Sequence, residues 1–237
     1  MATSLLLFLL ITFFVCFLTI RFNKLTFTGA LLGFLIALTI FYAFGFPGVA
    51  ILGCFFTLAT IASFWNKQVD KSIWLSKEHS TRRDALQVAA NGSVSALCAA
   101  LSVAFPVHHD LFLLMMVGGL SSATADTISS ELGTVYGSKF INILTFKPDQ
   151  KGENGVISVE GLLFGLAGSC ALAIVFSFGF GWDSRFFVII ISGTIGNLTD
   201  SVLGATLERN GYLGNNQVNF SNTLVAALSV IFLVQLL

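Results

Sequence analysis

The stretch LFLLMMVGGLSSATADTISSE, residues 111–131, decides the fold of this chain. A helix needs about 20 predominantly apolar residues to cross the hydrocarbon core of a bilayer, and this stretch is long enough. It nevertheless carries Asp126 in its second half. An ionised carboxylate at membrane depth is costly unless a cation or a hydrogen-bond donor compensates its charge, so Asp126 is a candidate functional residue.

The composition of the whole chain predicts an integral membrane protein. Apolar residues make up 55% of the 237 residues, charged residues only 10%, and Phe occurs 25 times. A soluble domain of this length has too little interior to keep so much apolar surface from water. The formal net charge is zero and no basic patch alternates with aromatic residues, which excludes nucleic acid as a partner.

Eight apolar segments predict an all-α, polytopic transmembrane helix bundle in a lipid bilayer. They cover residues 4–20, 27–44, 49–64, 84–105, 111–131, 156–180, 186–207 and 220–237. The third is short and the fifth is diluted by Ser and Thr, so seven spans are the alternative. No long linker divides the chain, which is expected to form one integral membrane domain over 1–237. Three N-terminal spans occupy 1–65, and a five-span core occupies 82–237.

Basic residues in the loops predict the orientation. Eleven of the twelve Lys and Arg residues follow odd-numbered spans, and only Arg185 lies on the other side. Positively charged loops favour the cytosol. We therefore expect the basic loops to be cytosolic and both termini to lie on the opposite side; the organelle and the oligomeric state stay open.

A second acid repeats the pattern around Asp126. In SGTIGNLTDSV, residues 192–202, Asp200 occupies the position that Asp126 has in the fifth span. The fifth and seventh spans are separated by one span and are therefore parallel, which predicts a pseudo-repeat with both acids at similar depth.

Two acids at matched depth repel each other unless a cation lies between them, and carboxylate oxygens are ligands that Mg²⁺ prefers. The sequence therefore predicts an Mg²⁺ site formed by Asp126, Asp200 and Glu131. Glu131 is about 140° around the helix from Asp126, so it reaches the same ion only near a helix end, for which Gly133 is a candidate. The alternative is an interhelical hydrogen bond that only fixes packing.

Polar residues also lie at the start of the fourth span. Arg82, Arg83 and Asp84 precede it, and Gln87 and Asn91 lie four residues apart on one helix face. These residues are candidates for binding an anion. The alternative for the two arginines is a positively charged flank whose side chains reach back to the membrane surface.

The loop TFKPDQKGENGVIS, residues 145–158, is a candidate phosphate-binding segment. It contains Lys147, two glycines at Gly152 and Gly155, and Ser158 immediately before the sixth span. Glycines let backbone amides approach a phosphate, and a helix start favours an anion. An ordinary flexible loop is the alternative.

Amide side chains complete the candidate site. Asn197 lies three residues before Asp200 on the same side of its helix, and Asn216 and Asn219 precede the last span. Amides bind hydroxyls, bases and phosphate oxygens. Helix capping is the alternative role for the last two.

These acids, amides and cations at one rim of an apolar bundle predict a phosphorylated lipid as substrate. A cation held by the acids suits phosphoryl transfer from a nucleoside triphosphate, with Lys147 and Arg82 or Arg83 offsetting charge. A membrane transporter or channel for a cation or small solute is the competing hypothesis, because paired intramembrane acids also occur in cation pathways. A non-catalytic membrane scaffold is the third.

The motifs also resemble a known family. RRDALQVAANG, ATADTISSELG, TFKP with GxxGVIS, GNLTDSVLGATLE and NNQVNF occur in this order in integral membrane proteins once labelled domain of unknown function ninety-two, which include relatives of transmembrane protein nineteen. The match covers residues 82–237, whereas the first three spans match in hydropathy and position only.

Within this family the chain resembles the phytyl-phosphate kinases of vitamin E biosynthesis. The resemblance implies transfer of a γ-phosphate from CTP or ATP, with Mg²⁺, to an isoprenyl monophosphate such as phytyl phosphate. It carries over to the residues that match the motifs, namely Arg83, Asp84, Gln87, Asn91, Asp126, Glu131, Lys147, Asp200, Asn216 and Asn219. The sequence departs from the pattern at Asn154 and Gln217, which leaves the donor nucleotide open.

Overall fold

A computed structural model describes residues 2–69 and 82–236 of the chain. Seven helices in these ranges are long and apolar enough to cross a membrane. They are α1 Ala2–Arg21, α2 Phe27–Val69, α3 Ala85–Ala104, α4 His109–Tyr136, α5 Val159–Phe180, α6 Arg185–Leu203 and α7 Asn215–Leu233. The predicted all-α membrane bundle is confirmed. The basic residues Lys71 and Lys77 lie outside the described residues.

The second helix is a hairpin of two arms. A straight helix of its 43 residues would be about 65 Å long, twice the thickness of a bilayer core. The helical path breaks at Gly45, whose φ of 65° suits glycine, and Pro47 follows. A Cβ at Gly48 would lie 2.9 Å from the side chain of Ile40, which requires the chain to fold back. The two arms are the predicted second and third spans, so eight predicted spans appear as seven helices.

Helix α4 is the centre of the bundle. It packs against α2, α3, α5, α6 and α7. Every residue from Leu113 to Ala125 is buried, although the run includes two glycines and several Ser and Thr. Small residues let neighbouring helices approach closely in a membrane, where packing rather than hydrophobicity drives helix association.

Helices α4 and α6 run parallel, as predicted. Residues later in α4 contact residues later in α6, as expected for parallel helices. Gly118 meets Ser192, and Ser122 meets Gly196. The hydroxyl of Ser121 donates to the carbonyl of Ile189 at 3.1 Å. This close interface of small residues fixes the register of the two helices, and therefore the relative depth of the residues that come later on each helix.

The connection between α4 and α5 folds over one end of the bundle. Its two short antiparallel strands, β1 Ile141–Asn142 and β2 Val156–Ile157, pair with each other. At the same end, α6 continues into a π-helical turn, Gly204–Glu208. We call residues 137–158 the cover loop.

The opposite end of the bundle carries fewer polar contacts. Arg185 forms an ion pair with Asp183 at 2.7 Å, and the Arg185 hydrogen bond lowers the pKa of that carboxyl. The His109 ring packs against Phe44 beside the break in α2, with 5.0 Å between ring centroids. The acids and amides of the predicted site lie at the other end.

Candidate functional site

A polar cavity of about 180 Å³ lies between α4, α6 and the cover loop. Its lining is rich in oxygen-bearing side chains, which in the described residues include Asp126, Ser129, Ser130, Thr134, Ser158, Asn197, Asp200, Ser201 and Glu208. We call this space the polar cavity.

Asp126 and Asp200 meet in the polar cavity. Their carboxyls are within hydrogen-bonding reach of each other, and Glu208 adds a third negative charge nearby. Both aspartates remain partly exposed to the cavity. The predicted matched depth of the two acids is therefore realised as direct contact between parallel helices.

Asn222 fixes the Asp200 carboxylate from behind. Its Nδ2 donates to Asp200 Oδ1 at 2.7 Å, and its Oδ1 accepts from Ser122 Oγ at 3.0 Å. Asn222 is completely buried. A carboxylate that accepts a buried amide hydrogen bond is held in one orientation, so Asn222 positions Asp200.

Sequence reasoning missed Asn222. Its signal was present, because Asn215, Asn219 and Asn222 follow helical spacing and share one face of α7. The prediction includes Asn219 of this face, whereas Asn222, the third member, makes the buried contact.

Asn197 lies where its spacing predicts. It lines the polar cavity together with Asp200, one helical turn later, and is buried. A Cβ on Gly165 would lie 2.7 Å from Asn197 Nδ2, so the absence of a side chain on α5 leaves room for this amide.

The cover loop supplies the predicted glycines. Gly152 and Gly155 line the polar cavity with φ values of 81° and 77°, which favour glycine. Gly155 lies against the π-helical turn so closely that a Cβ would overlap Ala205. Ser158 also lines the cavity and caps α5, since its hydroxyl accepts from Gly161 N at 3.1 Å.

An ion pair ties the cover loop to the end of α6. Arg209 Nη1 bonds Asp149 Oδ2 at 2.7 Å, and this hydrogen bond lowers the pKa of the Asp149 carboxyl. Asn142 also donates to Asp149, at 3.3 Å. The loop is thus anchored at Asp149 and at Gly155, on either side of Gly152.

Lys147 is not brought to the cavity. It is exposed on the cover loop after Phe146, which has a φ of 53°, and it does not line the polar cavity. The prediction that it offsets charge next to the acids gains no contact in this structure, because the loop turns the 145–148 segment outward.

Glu131 does not line the polar cavity with the aspartates. The predicted helix end at Gly133 is wrong, since α4 continues to Tyr136 and keeps Glu131 on another face. Its carboxylate accepts from Asn66 Nδ2 at 2.5 Å, on the second arm of α2. Among the described residues, no group of three or more His, Cys, Asp or Glu side chains is arranged to hold a metal ion.

The polar residues around the start of α3 form a second cluster. Asp84 and Gln87 make a capping box, in which Asp84 Oδ1 accepts from Gln87 N at 2.9 Å. Arg83, Gln87 and Asn91 line a different, apolar cavity on the other side of the bundle. These residues lie at the same end of the bundle as the aspartates but line a separate cavity, because α3 and α6 pack on different sides of α4.

Arg82 lies outside both cavities. Its Nη2 donates to Asn23 Oδ1 in the turn between α1 and α2, and its side chain is exposed. This contact suits the alternative role of a positively charged flank at the membrane surface.

The amides at the start of α7 are divided. Asn215 lines the polar cavity, and its Oδ1 accepts from Asn219 Nδ2 at 3.3 Å. Asn219 Oδ1 is buried and has no hydrogen-bond partner among the described residues. Asn216 is half-buried and does not line the cavity.

The residues that line the polar cavity suit Mg²⁺ only as part of a coordination shell that phosphate and water complete. Mg²⁺ is usually held by one or two carboxylates together with phosphate oxygens and waters, not by a complete protein cage. Asp126 and Asp200 supply two carboxylates, and Ser201 and Asn197 add oxygens to the same cavity. Asn215 adds a further amide oxygen to this lining, so the donor set suits a cation that arrives with phosphate.

Comparison with known proteins identifies the family. The profile described as "Integral membrane protein DUF92" matches residues 10–227, which includes every span but part of the first and last. The chain belongs to this family. It is an integral, multi-pass membrane protein.

Relatives occur in archaea, cyanobacteria and plants. An uncharacterized membrane protein of Methanocaldococcus jannaschii is 31% identical over 84% of this chain and 80% of its own length. A Synechocystis protein, also an uncharacterized membrane protein, is 31% identical over 79% of this chain and 74% of its own. Protein VTE6, chloroplastic, of Arabidopsis thaliana is 28% identical over 88% of this chain, which spans 65% of the plant protein.

No solved structure matches this chain. The match from residue 10 extends the family resemblance, which the motifs supported from residue 82, to α1 and α2. The first helices are therefore part of the family's architecture.

Proposed function

We propose that the protein is an isoprenoid-phosphate kinase, which transfers the γ-phosphate of a nucleoside triphosphate to phytyl phosphate or a related polyprenyl monophosphate. The observation that carries the proposal is the meeting of Asp126 and Asp200 in a polar cavity beneath a glycine-containing loop. The family relationship to VTE6 and the resemblance to phytyl-phosphate kinases support the choice of reaction.

Asp126 and Asp200 would hold Mg²⁺, with Asn222 keeping the Asp200 carboxylate in position. The bound ion would neutralise charge on the triphosphate during transfer. Asn197 and Ser201 orient phosphate oxygens from the same side of α6. Glu131 has no part in this proposal, because its carboxylate is bonded to Asn66.

The cover loop would bind the donor nucleotide. The backbone amide at Gly152 would approach phosphate without interference from a side chain, Gly155 would hold the loop against α6, and the capped start of α5 adds a favourable dipole. Asn215, which accepts a hydrogen bond from Asn219, lies on the next side of the cavity and suits a base or ribose hydroxyl. CTP and ATP are both candidate donors.

The transfer needs no strong general base. A phosphate monoester is already anionic near neutral pH, so its terminal oxygen attacks the γ-phosphorus directly. The new P–O bond gives the isoprenyl diphosphate, and the bond to the β-phosphate oxygen breaks to release the nucleoside diphosphate. Positioning and charge neutralisation supply most of the rate.

The competing hypothesis of transport is disfavoured by the packing beyond the aspartates. Met116, Val117 and Leu120 are completely buried on α4. Ser121 approaches Gly193 so closely that a Cβ there would overlap the serine hydroxyl. A cation pathway needs accessible polar groups on both sides of its acids, whereas the Ser121 hydroxyl beyond them is completely buried and donates to the Ile189 carbonyl.

The proposed orientation places the polar cavity at the cytosolic face, where nucleotides are available. The ends of α1, α2, α4 and α6 at the cavity's end carry the basic loops. Both termini would then lie on the opposite side.

Single-turnover assays on the purified full chain in detergent test the proposal. Labelled ATP, CTP, GTP and UTP are each mixed with phytyl, farnesyl or geranylgeranyl monophosphate and Mg²⁺. Formation of a labelled lipid diphosphate is expected with at least one pair. Absence of transfer with every pair, from protein shown to be folded, would contradict the proposal and make cation flux in liposomes the next measurement.

A further inference from the structure

A second cavity, of about 270 Å³, lies between α1, the two arms of α2 and the first half of α3. Its walls are almost entirely apolar. They include Ile11, Val15, Phe34, Ile36, Leu52 and Phe56. The hydroxyls of Thr12 and Thr19, which also line it, bond to carbonyls of their own helix and leave methyl groups for the wall. We call this space the apolar cavity.

Two glycines keep the apolar cavity open. A Cβ added at Gly33 or at Gly53 would meet nothing within 4 Å. Gly92 differs, because a Cβ there would lie 2.8 Å from Ile36. The two arms of α2 therefore leave space between them at Gly33 and Gly53, although close packing is available a few residues away.

One end of the apolar cavity is polar and positively charged. Arg83, Gln87 and Asn91 line it there. The backbone of Arg83 is fixed to the turn between α1 and α2, since its N–H donates to Lys24 O and its carbonyl accepts from Thr26 N, both at 3.0 Å. The turn between α1 and α2 thus holds the Arg83 backbone at the start of α3.

The Arg83 guanidinium has only weak partners. Its Nη2 donates to Ala59 O at 3.3 Å and to Ser63 Oγ at 3.4 Å. Among the described residues, no carboxylate forms an ion pair with it. A partly buried guanidinium carries five N–H donors and favours a bidentate anion such as phosphate.

We propose that the apolar cavity binds the isoprenyl chain of the lipid monophosphate, with the phosphate at Arg83. This inference rests on the proposed function for the identity of the lipid. The cavity suits both parts of such a molecule, because its apolar walls end at a guanidinium that forms no ion pair within 4 Å among the described residues, although the charge of Glu131 acts on it. Arg83 would then be a residue that binds the acceptor lipid, distinct from the aspartates that bind the donor.

The two cavities are close enough to cooperate. Asn66 lies one turn after Ser63 on α2, and it donates both to Glu131 Oε2 and, at 3.3 Å, to Thr134 Oγ1. Thr134 lines the polar cavity. The segment of α2 that contacts Arg83 through Ser63 therefore also contacts the wall of the polar cavity through Asn66.

Photo-crosslinking tests the proposal without requiring catalysis. The probe is a farnesyl monophosphate analogue with a diazirine near the end of its chain, added to the purified full chain in detergent. Gly33→Leu and Gly53→Leu place side chains in open space and fill the cavity. Ala100→Leu is the control, since it adds the same side chain on an exposed face of α3 outside the cavity.

We expect labelled peptides from the walls of the apolar cavity in the unmodified chain and in the Ala100→Leu variant. Labelling should fall at least tenfold in either glycine variant. It should also fall in Arg83→Ala, and farnesol should compete less well than farnesyl phosphate. In the transfer assay, the glycine variants should raise KM for the lipid and leave KM for the nucleotide unchanged.

Three outcomes would overturn the inference. These are labelling confined to α4–α7, equal labelling of the filled variants, and displacement by phosphatidylglycerol as effective as by farnesyl phosphate. Specific labelling without any phosphate transfer would instead contradict the proposed function and leave the lipid site standing.

Discussion

The polar and the apolar cavity lie at the same end of one bundle and differ in almost every physical respect. The polar cavity is lined by carboxylates that repel each other, and it is covered by a loop outside the membrane span. The apolar cavity is lined by aliphatic and aromatic side chains and has one cation at its end. Charge and solvation therefore assign the soluble, cation-bearing donor to one and the lipid acceptor to the other.

The difference follows from the helices that build each cavity. Helices α4 and α6 meet through small residues, so their polar side chains are brought together at one depth. The arms of α2 instead diverge around Gly33 and Gly53, which leaves unfilled apolar space. Close packing thus creates the polar cavity, and incomplete packing creates the apolar one.

The largest expected effect is loss of transfer when an aspartate is neutralised. Asp126→Asn or Asp200→Asn should lower the single-turnover rate at least about 100-fold, because an electrostatic group at the reacting phosphates is removed. Asp110→Asn, in the first turn of the same α4, is the control and should retain activity. Near-normal transfer by either cavity variant would show that the aspartates do not bind the reacting phosphates.

The second effect concerns the contact of the cover loop with the π-helical turn. Gly155→Ala puts a side chain on a left-handed backbone, and its Cβ would overlap Ala205. The free energy of unfolding should therefore fall by about 1–3 kcal/mol. Gly152→Ala is the control, because it also puts a side chain on a left-handed backbone but its Cβ meets nothing within 4 Å. The difference between the two variants therefore measures the effect of the overlap with Ala205. We expect nucleotide KM to rise more for Gly155→Ala. Equal KM values for the two variants would argue against a packed cover loop.

A smaller effect is expected behind the aspartates. Asn222→Ala removes the buried hydrogen bonds to Ser122 and Asp200, which typically lowers the free energy of unfolding by about 1–3 kcal/mol. Ser221→Ala removes a hydroxyl that bonds only Gln217 O, and is the matched control. Thermal unfolding in detergent should separate the two, with a lower midpoint and slower transfer for Asn222→Ala. Identical midpoints and rates would contradict a positioning role.

The smallest effect is the pH dependence of the cover loop. Arg209 lowers the pKa of Asp149 below its ordinary value, so the contact stabilises the loop above that ordinary value and is lost as pH falls through the lowered one. Hydrogen-exchange protection of residues 141–157 should therefore stay constant from neutral pH to about pH 4 and fall below it. Asp149→Asn should remove this change. A loss of protection beginning above pH 5 would point to another group.

Much of the fold was predictable because bilayer thickness fixes helix length. Hydropathy predicts the positions of all eight spans. The second and third predicted spans are the two arms of α2, which meet at the turn at Gly45. The matched spacing of Asp126 and Asp200 also predicted their approach, since parallel helices in one register bring equivalent positions to equal depth.

The remainder of the site depends on the order of helices around the bundle, which spacing does not contain. Arg83 and Asp200 belong to the same, basic end of their predicted spans, yet α4 lies between their helices. Lys147 is near the right glycines but on the outward turn of the loop. The contact of Asn222 with Asp200 could not be predicted without knowing which face of α7 meets α6. Polar residues occur on several faces of the first turns of α7.

One measurement tests the division between the two cavities most directly, namely the rate of lipid diphosphate formation at increasing acceptor concentration for Asp126→Asn and Gly33→Leu in parallel. The account predicts that Gly33→Leu approaches the unmodified rate at high acceptor, whereas Asp126→Asn stays inactive at every concentration. If both variants recover, or if neither does, donor and acceptor are not bound in separate cavities.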